Sequence, residues 1–247
     1  MDAGPEAPAI LLLHGFTGYI GDLRYLAERF YDAGYTVLGP RLPGHGTTGE
    51  DFRASGAGDW WRAAVDGYLE LADGSRRVYA AGLSMGGVLT VLLAAQFPLA
   101  GAALFAPALD FTHPLVRFTP LLQFLVPPHR VQTSEANVFD PEDPERVDPE
   151  REHLAEQYWN LQWPRQTAHL YRLARRARRA LPRVTCPTLT VVSREDETVP
   201  AGVTERIRRD LGATMQKTVE LTESGHVVTN GPERDEVARS VIEWFRS

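Results

Sequence analysis

Six short β-prone runs, at residues 10–13, 36–38, 77–81, 101–105, 188–192 and 216–221, punctuate this chain, and several are apolar from end to end. A strand that is apolar on both faces has to be covered on both. Helical patterns at 22–32, 59–71, 85–96, 202–211 and 233–245 lie between the runs and can supply that cover. Regular alternation of strand and helix predicts an α/β fold, a doubly wound and mostly parallel sheet. Sites in such sheets lie beyond the carboxyl ends of the strands. A chain of 247 residues, 43% of them hydrophobic, is long enough for one domain with a large core and a smaller inserted piece.

The alternation breaks between about residues 110 and 181. Phe111, Leu115, Val116, Phe118, Leu121, Leu122, Phe124, Leu125 and Val126 fall there at irregular spacing. An acidic, Pro-rich stretch follows (Asp140-Pro141-Glu142-Asp143-Pro144-Glu145), then helical patterns from about 149 to 180. Seventy residues do not form one structureless loop in a compact domain. The expected organisation is a core of residues 1–109 and 182–247, with 110–181 forming a cap over the strand ends plus a connecting helix. The apolar residues of the cap either anchor it to the core or line an acyl-chain pocket, two readings of equal weight. Burial within the monomer is the economical expectation for 115–126. Arg172, Arg175, Arg176, Arg178 and Arg179 read as a solvated helix face.

A net charge of −6 gives no reason to expect a nucleic-acid partner. The single cysteine, Cys186, excludes an intrachain disulfide and reads as a packed thiol at the start of a buried strand. The amino terminus lacks the basic region of a signal peptide, and no apolar run reaches the ~20 residues that span a bilayer. The expectation is a soluble, cytoplasmic protein without stable membrane insertion. No Cys/His spacing suggests a metal, and no Gly-rich phosphate loop suggests a nucleotide, so no cofactor is expected.

The chemistry-bearing signal is Gly82-Leu83-Ser84-Met85-Gly86, a G-x-S-x-G set between a β-prone run and an apolar helical run. Serine is a weak nucleophile. It needs a tight turn to present its hydroxyl and a base to take its proton. His226, in a short loop between the last strand and the last helix, is the candidate base. A carboxylate should orient it from the loop after the preceding strand, where Glu195, Asp196 and Glu197 compete and spacing alone does not separate them. Asp196 is taken as the orienting acid, with the other two as surface charges. The order Ser84, Asp196, His226 differs from the chymotrypsin and subtilisin orders. An oxyanion would need donors, and the backbone N–H groups of Met85 and Phe16 are positioned to supply them. His14 reads as shaping the oxyanion loop and His45 as bracing a loop at the site edge. Trp60 and Trp61 pack either the core or a substrate edge.

Leu11-Leu12-Leu13-His14-Gly15-Phe16-Thr17-Gly18, Pro43-Gly44-His45-Gly46, Asp59-Trp60-Trp61, Gly82-Leu83-Ser84-Met85-Gly86-Gly87, Asp196 and Ser224-Gly225-His226-Val227 together resemble the α/β-hydrolase superfamily. Within it they are similar to small bacterial carboxylesterases and monoacylglycerol lipases. The resemblance implies an α/β-hydrolase fold of about six to seven strands with an inserted cap. It also implies Ser84 as nucleophile, His226 as base, Asp196 as its orienter, and oxyanion donors at Phe16 and Met85. The substrate it implies is a short- to medium-chain ester, with monoacylglycerols included. Acyl transfer, thioester hydrolysis or carbon–carbon bond hydrolysis would use the same triad, and a non-catalytic ligand-binding protein is the reading from another class. Only about eight residues precede the first strand, so the sheet is expected to be short by one or two strands. The cap is the least similar segment.

Overall fold

The computed structural model describes residues 1–72, 76–130, 139–140 and 143–247, with the side chains of 139–140 and 143–146 left aside. Its strands are β1 (Ala9–Leu13), β2 (Thr36–Leu38), β3 (Val78–Leu83), β4 (Gly101–Phe105), the short β5 (His129–Arg130), β6 (Phe139–Asp140), β7 (Asp143–Val147) and β8 (Leu161–Gln162), then β9 (Thr188–Ser193) and β10 (Gln216–Leu221). The helices are α1 (Arg24–Asp32), α2 (Gly49–Ala54), α3 (Ala57–Leu71), α4 (Met85–Ala94), α5 (Thr119–Leu122), α6 (Pro149–Leu154), α7 (Pro164–Ala180), α8 (Gly202–Asp210) and α9 (Arg234–Arg246).

Six strands form one parallel sheet in the order β10-β9-β4-β3-β1-β2. Side chains on a strand alternate between faces, and β1 divides accordingly. Ala9, Leu11 and Leu13 join the layer packed under α3, α4, α7 and α8, while Ile10 and Leu12 join the layer under α1 and α9. Burial on both faces explains why β1, β3 and β4 read as continuous apolar runs. The six strands predicted from these runs all occur, three with the predicted ends and three with ends shifted by one or two residues. At the outer edge of β2 the chain start folds back: the Val37 N–H donates to Met1 O (2.8 Å), and the Met1 amine donates to Val37 O (3.0 Å). Covering a strand edge in this way satisfies backbone groups that would otherwise pair with another chain.

Helix α4 is buried along its whole length, as expected of a helix that is apolar all round. It can lie this deep because its first turn has almost no side chain. A Cβ on Gly86 would stand 1.9 Å from Leu13 O, and a Cβ on Gly82 would stand 2.2 Å from the backbone of Gly86. Helix α7 turns Leu170, Leu173, Ala174, Ala177 and Ala180 onto this layer, so the connecting helix is itself part of the core. Its outer face carries Arg172, Arg175, Arg176 and Arg179, which are exposed. Arg178 instead pairs with Asp110 (3.1 Å), which also receives Arg206 of α8 (2.6 Å).

Between β4 and α7 the described residues form short elements only. The helical pattern expected from 149 onward is interrupted: α6 passes into a π turn over Ala155–Trp159, and α7 starts afresh at Pro164. Part of the acidic stretch, residues 141–142, lies outside the described residues, and β6 pairs with β7 on either side of it. The economical expectation of burial for 115–126 does not hold. Phe124 is 81% exposed and Leu121 75%, with Leu115, Phe118, Leu122, Leu125 and Val126 also exposed. Helix α5, which lies in this segment, does pack on α7, but it has only one turn. One turn buries one stripe and leaves the rest of an apolar run outside. Cys186 is buried as predicted, two residues before the strand begins. Among the described residues no helix is long and apolar enough to cross a membrane.

The contact between Gly86 and Leu13 predicts a specific cost. Gly86→Ala should destabilise the protein by about 3 kcal/mol, the upper end for overpacked cores, because the obstructing atom is backbone and cannot swing away. Thermal unfolding should show a fall of roughly 6–12 °C in Tm.

Candidate active site

Ser84 occupies the turn between β3 and α4 with φ +54° and ψ −110°. A non-glycine residue with positive φ stores strain that its surroundings must hold in place. Here the Ser84 N–H donates to Phe105 O (2.8 Å), and Ser84 O accepts from the N–H of Ala108 (3.1 Å). The elbow is therefore stitched to the end of β4. Met85 is the first residue of α4, so its N–H has no acceptor within the helix and lies at the positive end of the helix dipole.

The loops after β9 and β10 bring two more side chains to the same place. His226 Nε2 is 2.9 Å from Ser84 Oγ, and His226 Nδ1 is 2.9 Å from Asp196 Oδ2. Asp196 Oδ1 accepts from the N–H groups of Thr198 (2.8 Å) and Val199 (2.9 Å). Burial pushes this carboxyl up, but the His226 hydrogen bond and charge and the two backbone N–H groups outweigh it and hold the carboxyl below its ordinary value. An ionised carboxylate only accepts, so Nδ1 of His226 carries the proton, and the lone pair on Nε2 accepts from the Ser84 hydroxyl. Of the three competing acids Asp196 meets the histidine, while Glu195 and Glu197 are exposed.

The loop after β1 forms the opposite wall. A Cβ on Gly15 would lie 3.5 Å from Ser84 Cβ, so this backbone passes directly over the elbow. Gly15 O accepts from His14 Nδ1–H (3.0 Å) and from the Gly18 N–H (3.2 Å). His14 Nε2 accepts from the Leu42 N–H (3.1 Å). Full burial pushes the His14 imidazole down to about 4, so it stays neutral, as this donor–acceptor pairing requires. The side chain shapes the loop, in line with the reading from sequence. His45 is buried against His14, Phe52 and Trp60 and held well below its ordinary value by burial first and by His14 second. Trp60 is a core residue whose Nε1–H bonds Pro43 O (3.1 Å) and Ser55 Oγ (3.2 Å). Trp61 lies under the Arg176 guanidinium.

Sequence reasoning passed over two groups that organise this site. The first is Glu233, just before α9. Its carboxylate accepts from the N–H groups of Thr222 (2.9 Å), Glu223 (3.0 Å) and Ser224 (2.8 Å) and from Ser224 Oγ (2.8 Å), and so fixes the loop leading to His226. Ser224 O in turn accepts from Ser193 Oγ, which joins this loop to the one bearing Asp196. The only sequence signal was an acid at a helix start. The second group is the trio Arg151, Tyr158 and Trp159 of the inserted segment, which reaches the loop after β1. Arg151 Nη2 pairs with Asp22 Oδ1 (2.9 Å), both side chains being about nine-tenths buried.

A fold of this topology with a serine on its elbow and a histidine and an aspartate after its last two strands is that of the α/β-hydrolases. Residues 10–240 match the alpha/beta hydrolase family, and the chain belongs to it. It is 32% identical over 240 residues to a thermostable monoacylglycerol lipase of Bacillus sp. (strain H-257), covering 96% of this chain and 89% of that protein. A carboxylesterase of Bacillus subtilis (strain 168) is 28% identical over 238 residues, covering 96% and 92%. The fold superposes on that of one of two metagenome-derived lipolytic enzymes, LipS and LipT, with a TM-score of 0.82, 30% identity and 98% of each chain covered.

Glu233 supplies a prediction with a defined pH window. Its hydrogen bonds hold the carboxyl at about 2 rather than 4.5, with burial opposing them. The carboxylate's stabilising bonds are complete above pH 4.5 and are lost as pH falls through about 2. Hydrogen exchange should show amides 222–224 protected at pH 7 and still protected near pH 3. In Glu233→Gln, where one carboxylate acceptor becomes a donor, their protection factors should drop severalfold at pH 7.

Proposed function

We propose that the protein hydrolyses carboxylic esters through an acyl-enzyme on Ser84. The observation that carries this reading is the unbroken line Ser84 Oγ, His226 Nε2, His226 Nδ1, Asp196 Oδ2, with 2.9 Å at each of its two gaps. In the first step Ser84 Oγ attacks the ester carbonyl carbon while its proton passes to His226 Nε2. Asp196 stabilises the imidazolium without taking the proton itself. The carbonyl oxygen becomes an oxyanion, with the backbone N–H groups of Phe16 and Met85 as its donors. Collapse of the tetrahedral species breaks the bond to the alcohol, which leaves with the proton from His226. Water, deprotonated by the same imidazole, then attacks the acyl carbonyl and releases the acid and Ser84.

The named relatives, a monoacylglycerol lipase and a carboxylesterase, support carboxylic esters, monoacylglycerols included, as substrates, and the reading takes their acyl chains as short to medium. The apolar side chains exposed over 115–126 suit contact with an acyl chain better than contact with a polar group. In a series of p-nitrophenyl esters, kcat/KM should climb from acetate to a maximum at medium length, by up to about fourfold for each methylene that becomes buried. A sharp preference for acetate would contradict an extended acyl site.

The chemistry is tested by labelling with a fluorophosphonate and locating the adduct by mass spectrometry. The adduct is expected on Ser84 and absent from Ser84→Ala. Asp196→Asn should lower kcat by about 10⁴-fold by favouring the wrong imidazole tautomer. Labelling elsewhere, or full turnover by Ser84→Ala, would refute the acyl-enzyme.

A further inference from the structure

The loop after β1 contains two peptide units linked in series, and a residue of the inserted segment lies at the far end. Gly15 O and the Phe16 N–H belong to one trans peptide and point in opposite directions. Gly15 O accepts from the Gly18 N–H (3.2 Å). The Gly18 N–H shares its own peptide with Thr17 O, which accepts from the indole Nε1–H of Trp159 (2.6 Å). The line therefore runs from the Trp159 indole through the Thr17–Gly18 peptide and the Gly15–Phe16 peptide to the N–H of Phe16. Hydrogen bonds arranged head to tail in this way polarise one another.

The surroundings place unusual weight on that indole. Thr17 holds φ +58°, a left-handed conformation that a β-branched residue adopts only under constraint. Trp159 closes the π turn over Ala155–Trp159, an uncommon geometry that concentrates at functional positions. Its neighbour Tyr158 accepts from the Gly46 N–H (2.9 Å) and lies 3.5 Å from Gly18 O. The Trp159 ring packs edge-on to Tyr19, with the Arg151 guanidinium about 6 Å from both rings. Asp22, which pairs with Arg151, accepts from the Tyr19 N–H (3.2 Å). Residues 17–22 are thus held from the inserted segment at several points, one of them on the peptide that feeds the Phe16 N–H.

We propose that Trp159 is a positioning residue for the oxyanion hole, orienting and polarising the Phe16 N–H through two peptide units in series. The proposal rests on the reading of Ser84 as nucleophile and Phe16 as oxyanion donor. It makes the inserted segment part of the catalytic apparatus, in addition to any role in substrate choice.

Trp159→Phe keeps an aromatic ring beside Tyr19 and Arg151 and removes the indole donor together with part of the ring's packing. With p-nitrophenyl butyrate, kcat should fall about tenfold while KM stays within twofold, because the oxyanion exists only beyond the ground state. Affinity for a trifluoromethyl ketone, which forms a tetrahedral adduct on the serine, should fall by the same factor. Replacing residue 159 by benzothienylalanine, which puts sulfur where the indole has N–H and preserves the shape, should reproduce both losses. That variant separates loss of the donor from loss of packing. If the benzothienylalanine protein keeps wild-type kcat and ketone affinity within twofold, the relay is overturned, whatever Trp159→Phe does. In that event loss of turnover in Ser84→Ala leaves the parent reading standing. Turnover that survives Ser84→Ala overturns the parent reading and the relay together.

Discussion

The structure depends on a contact that tolerates no side chain: the first turn of α4 against the end of β1, where Gly86 lies on Leu13 O, with Gly82 closing on Gly86 from behind. Because the helix sits so near, the turn before it must be tight, and Ser84 is forced to positive φ. Because β1 ends there, its following loop is carried over the serine. Elbow, helix dipole and the Gly15–Phe16 peptide therefore converge through backbone packing, before the side chains of His226 and Asp196 are considered. That layer is bounded by apolar residues on both faces of the sheet, so it has little freedom to relax.

Much of this was legible in the chain itself, and for a physical reason. A strand covered on both faces leaves a continuous apolar run, so β1, β3 and β4 announced themselves, and the glycines between β3 and α4 marked a close approach. His226 and Asp196 were legible through their place after the last two strands. The choice of Asp196 over its acidic neighbours became visible only as a distance to His226. Helix α2 went unseen because six residues with one buried apolar side chain, Phe52, carry no period. Glu233 and Trp159 went unseen for a different reason. Most of their hydrogen-bond partners are backbone groups, which every residue type presents alike, so little in the partner's identity betrays the pairing.

The segment 115–126 teaches the converse. Its apolar residues were expected to be buried, since burial is the usual fate of such residues. Apolar character states a preference, and whether it is met depends on having a surface to meet. Among the described residues the α5 region packs on α7 and leaves its outer apolar side chains exposed. An exposed apolar strip of this extent is unusual for a monomer, and it lies in the segment that also grips the loop over Ser84.

The strand that leads into the His226 loop is an edge strand. β10 is paired only with β9, and most of its residues are exposed. The histidine is separated from Ser84 by 142 positions in the chain and from Asp196 by 30. Closing the three-residue line thus requires the sheet to have been extended as far as its last strand, which has a neighbour on one side only. The proximity of Ser84 and His226 is therefore a readout of completed assembly. Under the proposed mechanism, a probe that reacts only with an activated serine would time the docking of β10 during refolding, reporting on a backbone event through the chemistry of one hydroxyl.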